Sequence, residues 1–141
     1  MKSFGTLILA AALGACGGTD TATAPPNPWL GTITVTGTGT TTVPVTMTAT
    51  GLSPASAFSV PAGGFIEWVN GDSVAHWPES SSHCTVPQHQ QCPWLNIPSA
   101  LAPNGMAGDR VTVGPAPATP ASCGFHDHLH PPACGGGGGG Y

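Results

Sequence analysis

Over residues 29–35 and again over 40–50, apolar side chains alternate with threonines: Ile33 and Val35 in the first run, Val43, Val45, Met47 and Ala49 in the second. A two-residue period turns one face of an extended chain to a core and the other to water, so both runs predict half-buried strands. Gly37-Thr38-Gly39 between them reads as a turn, and Leu52-Ser53-Pro54 as a break. Another strand begins over 58–60, and Pro61-Ala62-Gly63-Gly64 turns into a further one over 65–70. Residues 73–77 are expected to continue on the sheet. Residues 78–108, with five prolines and clustered His, Gln and Cys, then read as one long irregular segment. Loops of that length in compact domains are functional or disordered. Residues 110–113 predict a short strand and 115–120 a Pro/Ala connector. Closely spaced strands with turn signals between them predict a small sandwich or barrel of antiparallel type. No internal repeat is present.

Composition supports strands over helices. Only 6% of the 141 residues are charged, against about a quarter in ordinary soluble proteins, while Gly, Pro and Thr are abundant. The surface must therefore be built largely from hydroxyls and backbone. One domain is expected, because the ends leave roughly a hundred residues for a core. Residues 1–15 read as an export signal: Lys2 is the positive start, an apolar run too short to span a bilayer follows, and Leu13-Gly14-Ala15-Cys16 forms a lipobox-like cleavage site. Cys16 is then the expected lipidation site, residues 16–28 a flexible tether, 29–134 the folded domain, and 135–141 a glycine-rich tail. The alternative is an ordinary secreted protein with an incidental cysteine.

Without the leader, Arg110 is the one strong cation against Asp20, Glu67, Asp72, Glu79, Asp109 and Asp127, six acids against one base and a net charge near minus five. Nucleic-acid binding is disfavoured, since no basic patch exists to neutralise phosphates. Membrane contact is expected only through the N-terminal anchor, which places the protein in a bacterial envelope, periplasmic or otherwise extracytoplasmic. There is no nucleophile elbow, no His-Glu-x-x-His and no paired carboxylates on a common element, so catalysis is not expected.

The chemistry-bearing stretch is Cys123-Gly124-Phe125-His126-Asp127-His128-Leu129-His130. Read as a tight loop, it brings a thiolate and an imidazole to one ion, with His76 arriving from the strand-like run that begins at Phe65. Two imidazoles and a thiolate in a trigonal array hold copper for electron transfer. Trp68 is expected in the core, and Trp77 and Trp94 border the site as packing residues.

The wider pattern of Leu52-Ser53-Pro54, Val60-Pro61-Ala62-Gly63-Gly64, Trp68-Val69-Asn70-Gly71-Asp72 with His76, and Cys123-Gly124-Phe125-His126 resembles the cupredoxins of plastocyanin and azurin type. The resemblance covers residues 29–131. It implies an all-β Greek-key sandwich, one type 1-like copper ion held by His76, Cys123 and His126, single-electron Cu(I)/Cu(II) cycling with a redox partner protein, and an exposed edge of His126 as electron portal. Leu129 stands where the family commonly has an axial Met and cannot coordinate, which implies a raised potential. The family's final strand also has no counterpart here, because Pro131-Pro132-Ala133-Cys134 runs into six glycines. Either another strand closes the sandwich or the sheet stays one strand short.

The remaining cysteines and histidines leave alternatives open. Cys84 and Cys92 are the expected disulfide in an oxidising compartment, leaving Cys134 odd, while a bond from Cys92 to Cys123 would abolish a thiolate site. His83 and His89 read as solvated surface residues. His128 and His130 lie close enough to His126 for a second metal position or an exchange of ligands. Asp127 reads as a solvated loop carboxylate, the alternative being an acceptor that orients an imidazole. Three functions compete: an electron carrier, a copper-binding or delivery protein without electron traffic that uses the additional histidines, and a metal-free structural envelope module. A zinc site from Cys92, Cys123, His126 and His128 has suitable ligand types, but its spacing matches no ribbon or finger.

Overall fold

A computed structural model describes residues 27–81 and 89–131. The expected signal, lipidation site Cys16, most of the tether, His83, Cys84, Cys134 and the glycine-rich tail lie outside the described residues.

The fold is all-β, two four-stranded sheets forming a sandwich. Strands β1 (Gly31–Thr38), β2 (Thr42–Thr48), β4 (Ala57–Ala62), β5 (Phe65–Asn70) and β7 (Arg110–Val113) fall where the apolar alternation places them, with β3 (Gly51–Ser53) a short addition. Pro78–Ser80 forms β6 and Ser122–Asp127 forms β8. The first sheet has the order β4-β1-β8-β6 and the second β3-β2-β5-β7.

The sheets are mixed, not purely antiparallel. β1 pairs with β4 and β2 with β5 in parallel. Between β3 and β8 each successive strand changes sheet, so sequence neighbours face each other across the core instead of forming hairpins. Ile33, Val35, Val45, Val60, Ile66, Trp68 and Phe125 fill the space between the sheets. Burying each such side chain stabilises the fold by about 1.5–3 kcal/mol. At the centre, Phe58, Trp68 and Phe125 stack within 5.1–6.4 Å of one another in tilted and edge-on geometry, the arrangement that ring quadrupoles favour.

Three expectations about local structure change. Residues 73–75 leave the sheet, and His76 is tied instead by an isolated bridge to Leu101. The segment after Pro78 is not wholly irregular, since β6 and a 3-10 turn at Pro93–Leu95 interrupt it. β6 pairs antiparallel with β8 and forms the edge of the first sheet, so a strand from mid-chain closes it. Proline at its first position suits an edge, where no N–H is owed to a neighbour.

Candidate metal centre

Cys123 to Asp127 is a strand, paired with β1 on one side and β6 on the other. That corrects the tight-loop reading. On a strand, alternate side chains point to opposite faces, so Cys123, Phe125 and Asp127 share the inner face, while Gly124 and His126 share the outer one, where His128 from the following turn joins them. Cys123 and His126, three apart, therefore diverge.

Cys123 is buried in a disulfide with Cys92. Both the assignment of Cys123 as a thiolate ligand and the pairing of Cys92 with Cys84 are thereby corrected: one sulfur forms a single S–S bond, and Cys92 reaches Cys123 because the 3-10 turn after it packs Leu95 into the core. Leu129 is 43% exposed and occupies no axial position. His76 and His126 lie in two separate clusters, one on each face of β8.

The inner cluster surrounds His76. Its turn is built by Asn70, whose amide donates to the carbonyls of Val74 and Ala102 at 2.7 and 2.9 Å and whose side-chain oxygen accepts from the Asp72 N–H at 2.8 Å. The fully buried His76 ring then lies between Asp127 Oδ2, 2.7 Å from Nδ1, and Asp72 Oδ2, 3.2 Å from Nε2. Asp127 is buried, not solvated: its Oδ1 accepts from the main-chain N–H groups of Trp77 and Leu129, and its Oδ2 also lies 2.6 Å from His130 Nδ1. Trp29 packs on both His76 and His130, with centroids 5.1 and 4.8 Å away. Burial alone would raise the Asp127 carboxyl, but the Trp77 N–H and the two imidazoles outweigh it and hold it below its ordinary value of 3.8.

The outer cluster is His89, His126 and His128, whose ligating nitrogens all lie within 4.8 Å of one another. His126 comes from β8 and His128 from the turn that follows it, and Glu79 stands directly across from His126 on β6. His89 comes from the long segment that precedes the disulfide and adopts a positive φ of 57°. That region costs a non-glycine residue about 1–3 kcal/mol and collects at functional sites. Its Nδ1 lies 3.0 Å from the Ser80 carbonyl. A carbonyl only accepts, so Nδ1 carries the proton and Nε2 is turned on Glu79 Oε2 at 3.1 Å. The same Oε2 lies 3.3 Å from His128 Nδ1. Asn96 fixes this arrangement by accepting from the Ser80 N–H at 2.8 Å and donating to the His89 carbonyl at 3.0 Å. Gly124 permits close cover of this face, because a Cβ there would stand 3.0 Å from Ser81 Oγ.

At these separations each imidazole is joined to the carboxylate either by a proton on the ring nitrogen or by a cation between them. Three imidazoles grouped in this way, with a carboxylate beside two of them, are a donor set that fits a divalent transition ion, and the Ser80 carbonyl behind His89 is the orienting partner that metal-bound imidazoles generally have. Sequence reasoning missed His89 and Glu79. The signal was the clustering of His89, Gln90, Gln91 and Cys92 within a long segment, but the placement of that segment depends on the disulfide.

Fold and site together define a β-sandwich carrying a histidine cluster suited to a metal ion. No family model, curated protein or solved structure matches the chain.

Proposed function

We propose that this is a copper-binding protein of the cell envelope, which holds a Cu(II) ion at His89, His126, His128 and Glu79 for storage or delivery. The observation that carries the reading is the grouping of the His89, His126 and His128 ring nitrogens within 4.8 Å of one another, with the Glu79 carboxylate 3.1 Å from His89 and 3.3 Å from His128. Copper is favoured because a nitrogen and oxygen set suits Cu(II), and because Cu(II) heads the affinity order of divalent first-row ions for any such site. A disulfide between Cys92 and Cys123 supports an oxidising compartment, in keeping with an export signal and a lipid anchor at Cys16. Electron transfer at His76, Cys123 and His126 is the weaker reading, since the sulfur it requires is bonded to another sulfur.

The test is a competition titration of the oxidised protein with Cu(II) against a chromophoric chelator. His128→Ala and Glu79→Gln are each expected to weaken the site at least tenfold, with the disulfide and the fold intact. Wild-type affinity in both variants would remove the basis for the proposal.

A further inference from the structure

The geometry points to a second divalent-ion site on the opposite face of β8, formed by His76, Asp127 and His130. Each offers one ligating atom, and the three lie within 4.8 Å of one another. The outer site plays no part in this argument, which rests on the orientation of three groups.

Asp127 Oδ1 is committed to two main-chain N–H groups, which turns Oδ2 alone toward the two imidazoles. Asp72 lies behind His76, 3.2 Å from Nε2. In the tautomer whose Nε2–H donates to that carboxylate, Nδ1 is left to ligate beside Asp127 Oδ2, the carboxylate–histidine pairing that orients metal ligands. His130 presents its own Nδ1 to the same oxygen from the far side. One carboxylate oxygen thus faces two ring nitrogens, and the arrangement requires either a proton on each nitrogen or one dipositive ion shared among all three atoms. The charge balance favours neither: the carboxylates of Asp72 and Asp127 are neutralised equally by two imidazolium rings or by two neutral rings and a divalent cation.

Two features favour an ion. The set is two histidines and one carboxylate on adjoining segments, a ligand type that leaves open positions on a divalent first-row metal. His130 is 40% exposed, which gives an ion a route from solvent, whereas a purely structural clamp would gain from being closed. The nitrogen–oxygen separations of 2.6 and 2.7 Å must widen to about 3 Å to admit an ion at bond lengths near 2.0–2.2 Å. The exposed His130 ring can open its own separation, and the His76 separation must open by about 0.3 Å through a turn of the Asp127 carboxylate.

Zn(II) is the probe, because it is redox-silent. Equilibrium dialysis against Zn(II), followed by elemental analysis, is expected to give two ions per oxidised wild-type chain, one in His128→Ala, one in His130→Asn and none in the double variant. Asparagine keeps an N–H to donate to Asp127, so a hydrogen-bonding role alone predicts unchanged stability and unchanged zinc content. Co(II) in the His128→Ala protein should give visible d–d bands that vanish on adding His130→Asn. A zinc content that His130→Asn leaves untouched in the His128→Ala background overturns the inference. Loss of one ion in His130→Asn with none lost in His128→Ala would sink the outer site and leave this one standing.

Discussion

Removing the Cys92–Cys123 bond by the double change Cys92→Ala and Cys123→Ala should cost both stability and metal affinity. The bond closes a loop with a sequence separation of 31. Chain-entropy arithmetic for a loop of that length gives a stabilisation of about 3.7 kcal/mol at 25 °C. That is a quarter or more of the 5–15 kcal/mol typical of a domain. Buried Trp68 supplies the fluorescence signal for urea unfolding. With a slope of about 1–3 kcal/mol per molar, the midpoint should fall by roughly 2 M. His89 lies three residues before Cys92, so the same change should loosen the outer site and weaken Cu(II) binding by tenfold or more. A midpoint that does not move between the oxidised and the double-alanine proteins would refute the reasoning. So would thiol counting in denaturant that finds Cys92 and Cys123 both reactive before reduction.

The metal-free protein should lose stability in acid through Asp72. Burial alone would raise its carboxyl, but hydrogen bonds from His76 and from the Ser73 main chain and hydroxyl hold it below its ordinary 3.8. A depressed folded value stabilises fully above 3.8 and is lost as pH falls through the lower folded value. Melting temperature should therefore be flat above about pH 5 and drop below pH 4, and Asp72→Asn should flatten that drop. An acid limb as steep in Asp72→Asn as in wild type would contradict this. Phe125→Ala should destabilise by about 3–5 kcal/mol, because Phe125 is fully buried against Phe58 and Trp68; a loss below 1 kcal/mol in urea would show that the core does not depend on it.

The sandwich was legible where alternation runs long. β1, β2 and β5 announce themselves because each has one face in the core, whereas β6 has three residues and begins with proline, too little for any period to show. The site was harder to read. Cys123, Phe125 and Asp127 alternate with Gly124, His126 and His128, so the period that identified the other strands was present here too. The spacing of cysteine and histidine drew attention to i and i+3, which a strand separates. His126, His128 and His130 were recognised as close, but their division between two faces follows from the turn after Asp127, since a strand continued to His130 would keep all three on one face. The disulfide was open in principle, since the four cysteines after Cys16 allow three full pairings, and the Cys92–Cys123 bond depends on the packing of Leu95 and Cys92. Glu79 was unreadable because its position depends on β6 pairing with β8.

The most direct test is the paramagnetic resonance and visible spectrum of the oxidised protein with one equivalent of Cu(II). The account predicts nitrogen hyperfine structure from imidazole ligands, only weak d–d absorption, and conversion to a different spectrum in His128→Ala. An intense thiolate-to-copper band that disappears in Cys123→Ser would contradict it, because that band requires the sulfur of Cys123 to be on the metal and not bonded to Cys92.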